Sequence, residues 1–408
     1  MHSYSALLGI HPAISVAELS ALLPDFSPSH RFGGQFYSFE TEKEIDQAFL
    51  NRLGGTIMIA KRITGESAVG IDDLPVLLQT ELKGVKGKAV FSFRLVGVSP
   101  KRANALFKEC KQHLKSHGIP CRYVGGPGNP PKPIQLHDEG LLDPKSGCEL
   151  VVLADKENLW IGRTVAAQDV KAYTLRDIEK PVRDTTVGLL PPKLAQILLN
   201  FGSYLVGNNQ KPETRNQKLT VFDPFCGTGV IPLEALLRGQ STLASDVSLK
   251  AVNGTTKNLE WARKTYKMSK KDPSSEVWKQ DATKPFELKD KPDVIVTEGS
   301  LGPALSDRPN IKDVENLRKK ADDLTIAFLK NCAATLPGVP VVMTLPIWYA
   351  QKRMIHLEKV WQAVNELKFT PVLPPHTDPS IPGHFSQIYR RNDQFVGREI
   401  VLLKPRLS

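Results

Sequence analysis

From Leu219 to the C-terminus, apolar runs with the length of strands alternate with runs of helical spacing, and this alternation restricts the fold more than any other feature. Strands joined through helices form parallel βαβ units, so an α/β domain with a mostly parallel sheet is expected. The last two runs predict an antiparallel hairpin. The strands read LTVFD, TLASD, SEVWKQD, PDVIVTE and VPVVMTL, and the hairpin reads FSQIYRRND and QFVGREIVLLKP.

Length and composition limit the class of protein. At 408 residues the chain is too long for one ordinary core and predicts two or three domains. Hydrophobic residues at 41% and charged residues at 24% are typical of a soluble globular protein. No apolar run reaches membrane-spanning length, and the first residues do not read as a secretory signal. The five cysteines form no CxxC or Cys/His cluster, so we expect neither a zinc site nor disulfides, and a cytoplasmic location.

The positive charge of the chain is concentrated in one segment. Between Lys83 and Lys132 there are eleven basic residues, and Glu109 is the only acid. A surface made only for solubility usually mixes both signs, so a nucleic-acid partner is favoured over a merely solvated face. The residues predicted to contact RNA are Lys101, Arg102, Lys108, Lys111, Lys115 and Arg122.

Four regions are predicted along the chain: an N-terminal α/β region at 1–80, a basic domain at 81–154, a linker at 155–185 and the α/β domain at 186–408. Within the basic domain, Ser99 and Pro100 predict the start of a helix and Gly118 predicts its end.

The stretch VFDPFCGTG indicates a binding site at the end of the first strand of the α/β domain. Three successive strands end in Asp223, Asp246 and Asp281. Ligands of parallel sheets lie beyond the carboxyl ends of the strands, where carboxylates accept hydrogen bonds. Gly227 and Gly229 let the backbone approach a ligand closely. We expect ribose hydroxyls at Asp246 and the amine of adenine at Asp281.

Two common nucleotide sites do not fit this turn. A nicotinamide cofactor predicts GxGxxG, whereas the turn reads GTGVIP, with Pro232 in place of the last glycine. A phosphate-binding P-loop requires GxxxxGK[ST], which is absent. A nucleoside without a pyrophosphate remains.

DPFCGTG resembles the cofactor motif of S-adenosylmethionine-dependent methyltransferases that modify exocyclic amines. GLLPPKLAQILLN, AYTLRDIEKPVRD and YRRNDQFVGREI are similar to segments of the tRNA guanosine methyltransferases that carry a THUMP domain, and the basic segment resembles a diverged THUMP domain. The resemblance implies a Rossmann-like methyltransferase domain with a mixed seven-stranded sheet, preceded by an α+β region with the THUMP-like RNA-binding domain. It also implies S-adenosylmethionine as cofactor, tRNA as partner and methylation of a guanosine 2-amino group.

The resemblance assigns roles to individual residues. The cofactor's methionine part would lie against the glycine turn, its ribose against Asp246 and its adenine against Asp281. Cys226 is expected only to pack. The residues implied to bind the cofactor are Asp223, Pro224, Gly227, Gly229, Asp246, Asp281, Pro192 and Lys193.

A second motif departs from the family's pattern. Where these enzymes carry Asp/Asn-Pro-Pro-Tyr, this chain has Thr297-Glu298-Gly299-Ser300. Glu298 and Thr297 are therefore the predicted catalytic residues, because their oxygens would accept the hydrogens of the target amine. The stacking ring is missing; Trp348 or Tyr349 would supply it, unless both only pack.

Three functions remain open at this point: an active tRNA methyltransferase, a catalytically silent RNA-binding relative, and a methylase of an amine in another RNA or in DNA. No metal is expected. The sequence does not specify the oligomeric state or the nucleotide that is modified.

Overall fold

A computed structural model describes residues 1–63, 70–184, 189–207, 218–269, 271, 273–303, 309–351, 353–391 and 394–406. The last residue of the predicted linker, the first three of the predicted α/β domain and two residues of the predicted hairpin lie outside these ranges. The chain divides into two compact units, Met1–Ser15 with Leu23–Tyr173, and Val16–Leu22 with Thr174–Ser408. Helix α1, Pro12–Leu22, contributes to both.

The first unit contains an eight-stranded sheet in the order β2-β3-β1-β4-β8-β7-β5-β6. Pairing is antiparallel from β2 to β7, and β5 then pairs in parallel with β7 and β6. Its strands are β1 His2–Leu8, β2 Ser27–Phe32, β3 Phe36–Thr41, β4 Thr56–Arg62, β5 Ala89–Val96, β6 Cys121–Tyr123, β7 Gly147–Ala154 and β8 Leu159–Ala167. Its helices are α2 Gln47–Leu50, α3 Leu74–Glu81, α4 Pro100–Ser116 and α5 Pro133–Asp138, with a 3-10 turn at Ile71–Asp73; α6, Val170–Ile178, runs into the second unit.

This sheet crosses two predicted boundaries. Residues 1–80 supply β1 to β4 and residues 81–154 supply β5 to β7, so the two predicted regions share one sheet. Strand β8, inside the predicted linker, joins β4 to β7 in its middle. Backbone pairing between residues about a hundred positions apart is not encoded in local spacing, which is why composition placed the boundaries elsewhere.

Helix α4 forms where the sequence predicts it. The Ser99 hydroxyl accepts a hydrogen bond from the backbone N–H of Arg102 at 3.3 Å, and Pro100 occupies the first turn. Gly118, with φ of 74°, follows the end of the helix. The buried side of α4 packs against β5 and β7, in a core that includes Leu106, Phe107, Cys110 and Leu114.

The second unit has a nine-stranded sheet whose main path is β11-β10-β9-β12-β13-β17-β15. Strands β9 to β13 are parallel, whereas β17 is antiparallel to β13 and β15. Strand β14 pairs antiparallel to β13, and β16 pairs antiparallel to β17. The pairing of β16 with β17 confirms the predicted hairpin. The strands are β9 Thr220–Asp223, β10 Ser241–Asp246, β11 Ser275–Lys279, β12 Val294–Glu298, β13 Val341–Ala350, β14 Arg353–Ile355, β15 Phe369–Val372, β16 Ser386–Tyr389 and β17 Val396–Pro405.

Helices α7 Pro192–Gly207, α8 Val230–Leu237, α9 Leu249–Thr265, α10 Ile311–Thr335 and α11 Glu358–Glu366 connect these strands. The seven strands of the main path form the mixed Rossmann-like sheet that the sequence predicts. Chain order reverses at β9, which lies between β10 and β12, and such a reversal opens a crevice at the carboxyl edge. None of the described helices has the length and apolar character needed to cross a membrane.

Candidate functional site

A cavity of about 490 Å³ lies at the carboxyl edge of β9, β10 and β12. Of the residues predicted to bind a cofactor or catalyse, Asp223, Gly227, Asp246 and Glu298 line it. These residues are up to 75 positions apart in sequence, and the strand ends bring them together. The other residues lining the cavity are Val182, Arg183, Asp184, Leu189, Leu190, Phe225, Cys226, Thr228, Val230, Ile231, Ser248, Lys250 and Ala251.

Asp223 is a buried carboxyl group with one oxygen already engaged. The Thr297 hydroxyl donates to Oδ1 at 2.6 Å and the Phe225 N–H donates to the same oxygen at 3.2 Å. Within the described part of the chain no donor contacts Oδ2. Burial raises the pKa of Asp223 to about 7; the hydrogen bonds from Thr297 and Phe225 oppose this shift, and the charges of Asp246 and Glu298 add to it. A cationic ligand group would stabilise the ionised form.

Asp246 holds the glycine turn against the end of β10. Its carboxylate accepts hydrogen bonds from the Gly227 N–H at 3.0 Å and from the Ser248 N–H at 2.8 Å. Because each carboxylate oxygen has two acceptor positions, Asp246 keeps capacity for a ligand hydroxyl.

Glycine is needed at the two positions of the turn for different structural reasons. Both have positive φ, 53° at Gly227 and 80° at Gly229. A Cβ on Gly229 would lie 2.7 Å from Thr255 Cγ2, so this glycine permits close packing of the turn on α9. A Cβ on Gly227 would meet nothing within 4 Å, and Gly227 lines the cavity. Only Gly227 therefore leaves space for a ligand.

Two α9 side chains, not predicted from the sequence, fix this turn. The Thr255 hydroxyl donates to the Gly227 carbonyl at 2.8 Å. The buried amide of Asn258 donates to the carbonyls of Thr228 and Val182 at 2.8 and 2.9 Å, and its oxygen accepts from the Val182 N–H at 2.9 Å. Asn258 thereby joins residues 182–184, one wall of the cavity, to the glycine turn.

Glu298 forms an ion pair that the sequence does not reveal. The Arg398 Nε donates to Glu298 Oε1 at 2.5 Å, and another guanidinium nitrogen donates to the Leu189 carbonyl at 3.2 Å. The side chain of Glu298 is only 14% exposed and that of Arg398 only 5%. Burial raises the pKa of Glu298, and the adjacent Arg398 acts in the opposite direction. Arg398 lies within VGREI, part of the predicted hairpin, and was not among the predicted site residues.

Thr297 occupies a different position from the predicted one. It is fully buried, it is not among the residues lining the cavity, and its hydroxyl is donated to Asp223. Successive residues of a strand point to opposite faces, so Thr297 and Glu298 do not face the same side of the sheet. The contact indicates that Thr297 positions Asp223.

Several other predicted cofactor residues also lie outside the cavity lining. Asp281 accepts hydrogen bonds from the N–H and hydroxyl of Thr283, at 2.9 and 2.7 Å, within its own turn. Pro192 is buried at the start of α7, and burial lowers the pKa of the half-buried Lys193. Pro224, like Gly229, shapes the turn without lining the cavity. Cys226 does line it, and burial raises the pKa of its thiol, which disfavours a nucleophilic thiolate.

The two candidate stacking rings are both engaged. Trp348 is 1% exposed and belongs to the hydrophobic core of the second unit. Tyr349 is half-buried, with the guanidinium of Arg390 at 3.6 Å from its ring centroid. Neither lines the cavity.

The basic segment divides into paired arginines and exposed lysines. Arg102 pairs with Asp72 and Glu109, Arg122 pairs with Glu139, and the side chain of Lys111 lies over the Tyr123 ring. Asp72 and Glu139 come from outside the segment, so folding reduces its excess charge. Three exposed lysines, seven residues apart on one side of α4, have no acidic partner in the described part of the chain; we call Lys101, Lys108 and Lys115 the lysine row.

No model of a known protein family matches the chain. The tRNA (guanine(10)-N2)-dimethyltransferase of Methanothermobacter thermautotrophicus is 32% identical over 115 residues, which are 28% of each chain. A protein of Methanothermococcus thermolithotrophicus named "Probable tRNA (guanine(10)-N2)-dimethyltransferase" is 32% identical over 127 residues, 30% of this chain and 69% of that protein. The chain thus matches little more than a quarter of the first relative's length.

Among solved structures, TrmN from Thermus thermophilus aligns over 99% of this chain and all of its own, with a TM-score of 0.50 and 16% identity. At this identity the likeness shows the fold alone, and it extends over both units.

Proposed function

The chain belongs to the tRNA (guanine(10)-N2)-dimethyltransferase family, and from that premise we propose that it methylates the exocyclic 2-amino group of a guanosine in tRNA, using S-adenosylmethionine. One observation carries the proposal: a buried carboxyl group, Asp223, and a mostly buried carboxylate, Glu298, line one cavity beside an open glycine turn.

The residues present fit S-adenosylmethionine. A buried Asp223 with a free Oδ2 suits the ammonium group of the methionine part, and Asp246 suits the ribose hydroxyls. The space beside Gly227 lets a ligand contact the backbone. When bound, this cofactor supplies a methyl group activated by its positively charged sulfur. For adenine we propose no partner, because Asp281 is not among the residues that line the cavity.

Glu298 is the proposed acceptor of the amine hydrogens. The lone pair of an aromatic amine is delocalised into the ring, and hydrogen bonds from the amine to a carboxylate localise it for attack on the methyl group. Arg398 fixes the carboxylate, so much of the acceleration is orientation. The base must leave its stack to reach such a cavity.

We also propose that residues 81–154 act as a THUMP-like RNA-binding domain, in which the lysine row contacts phosphates. A cytoplasmic location belongs to the same proposal. It is supported by the five cysteines, all of which are free and buried.

Replacing Glu298 by alanine tests the catalytic assignment. The variant is expected to lose turnover while its affinity for S-adenosylmethionine stays within about twofold, because the carboxylate acts on the target amine. Glu276 is an exposed glutamate on β11, so E276A is the matched control and should retain full turnover. Full activity of E298A would refute the assignment.

The alternative function, a catalytically silent RNA-binding relative, is favoured by one observation. Trp348 is in the core, Tyr349 is held by Arg390, and the loop after Glu298 has no aromatic side chain. Base stacking is worth about 1–3 kcal/mol, so its loss slows an enzyme without removing its activity. A protein that binds both tRNA and S-adenosylmethionine and transfers no methyl group would establish this alternative.

A further inference from the structure

The carboxylate of Glu298 is held by a residue from two strands away. Glu298 is opposite Thr344 on β13, and Pro346, two residues further along β13, is opposite Arg398 on β17. The Arg398 guanidinium therefore reaches across β13 to bond Oε1, while also bonding the Leu189 carbonyl. Such a fixed contact determines which oxygen of Glu298 remains available.

Arg398 is the only donor to this carboxylate within the described part of the chain, and it acts on Oε1. The side chain of Glu298 lines the cavity, so Oε2 is available to a ligand there. Burial alone favours the neutral acid, and the adjacent guanidinium favours the ionised form. An ionised carboxylate only accepts hydrogen bonds, whereas a neutral acid also donates one.

Resting on the proposed function, we propose that the Arg398–Glu298 pair makes this site select a base with two adjacent donors on its Watson–Crick edge. Guanine presents its N1–H beside the 2-amino group, and one carboxylate can accept from both. Adenine and cytosine present an amine beside a ring nitrogen that is an acceptor. A carboxylate oxygen facing that nitrogen brings two lone pairs together, and neither is satisfied. Arg398 is thus a positioning residue, and Glu298 reads the edge.

An amide at this position is expected to read a different edge. Arg398 has no acceptor atom, so it requires an oxygen opposite its Nε. In E298Q the amide oxygen would meet Arg398, and the amide NH₂ would occupy the place of Oε2. This group is a donor, so it repels the guanine N1–H and pairs with a ring nitrogen that accepts.

The test uses the full chain and two tRNA transcripts that differ at one base. The guanosine that the wild-type protein methylates is kept in one transcript and replaced by 2-aminopurine in the other. 2-Aminopurine retains the 2-amino group but has an acceptor at N1. The ratio of kcat/KM values for the two transcripts is measured for wild type, E298Q and E298D. Intrinsic reactivity of the two amines cancels when the ratios of the variants are compared.

The wild-type ratio is expected to exceed that of E298Q by about 5- to 150-fold, the range for about 1–3 kcal/mol of discrimination at one base edge. E298D keeps a carboxylate and should keep the wild-type preference, even if it is slower. If E298Q is too slow to measure, R398Q, which keeps a hydrogen-bond donor without the charge, should lower the ratio instead. Equal ratios in wild type and these variants would overturn the inference alone, whereas wild-type protein that methylates neither transcript would overturn the proposed function as well.

Discussion

Asp223→Asn is expected to remove most of the pH dependence of S-adenosylmethionine binding below about pH 7. Burial raises the pKa of the wild-type carboxyl group to about 7, so it is half protonated near neutrality without ligand. Binding of an ammonium group beside it requires the carboxylate. The proton must therefore leave, and affinity must rise with pH until the carboxyl group is ionised.

The magnitude follows from that pKa. One pH unit below this pKa costs a factor of about ten in affinity relative to the fully ionised site, so lowering the pH from 8 to 5.5 should weaken binding by about 30-fold. D223N has no proton to lose, so its binding should be weaker at neutral pH and nearly flat. The other charged groups in or beside the cavity are Arg183, Asp184, Asp246, Lys250, Glu298 and Arg398.

Isothermal titration calorimetry from pH 5.5 to 8, in two buffers of different ionisation enthalpy, measures both affinity and proton release. About half a proton should be released near pH 7 in the wild type. S-Adenosylhomocysteine, which has the ammonium group but no sulfonium charge, should give the same slope. A wild-type affinity that changes less than twofold over this range would refute the reasoning, and so would a D223N profile that matches the wild type.

The raised pKa of Asp223 also determines how the stability of the protein changes with pH. The folded state holds the Asp223 proton more tightly than the unfolded state, so this contribution to stability falls as pH rises from about 4 to about 7. Without ligand at pH 8, D223N is therefore expected to unfold at a higher temperature than the wild type. Its free energy of unfolding should be greater by at most about 4 kcal/mol. A lower melting temperature for D223N at pH 8 would contradict this.

Three further predictions concern the turn and the basic surface. G229A should lower the free energy of unfolding by about 2–4 kcal/mol, because of strain at positive φ and overlap with α9. G227A should lower it by only about 1–2 kcal/mol but should weaken cofactor binding more than G229A does. Equal melting temperatures for the two variants would contradict this. N258A should weaken cofactor binding at least tenfold and destabilise the fold by about 2–4 kcal/mol, measured by calorimetry and thermal melting. Glutamine at all three positions of the lysine row should reduce the slope of log affinity for tRNA against log salt by about 2, whereas the same change at exposed Lys319, Lys320 and Lys330 should not.

Local sequence was sufficient to predict the glycine turn at the end of β9. The turn between Asp223 and Val230 requires only a strand, two glycines and a helix that follow one another directly, and the structure contains these elements in that order. Because neighbouring parallel strands end at the same edge, Asp246 and Glu298 could also be placed beside it.

Contacts between distant segments could not be predicted in this way. Arg398 reaches Glu298 across a hundred positions, and that contact depends on the register of β17 against β13. Asp281 lies two residues beyond the end of β11 and outside the cavity lining, whereas Asp223 is the last residue of β9. Arg102 was predicted to contact RNA, but in the structure it pairs with Glu109 on its own helix and with Asp72 from outside the basic segment.

The central claim is methyl transfer to guanosine in tRNA. Purified full-length protein is incubated with bulk tRNA and S-adenosylmethionine carrying a labelled methyl group, and the digested nucleosides are identified by mass spectrometry. The account predicts label in guanosine methylated on its 2-amino group, and loss of that label in E298A. Binding of both tRNA and S-adenosylmethionine without label in any nucleoside would contradict it.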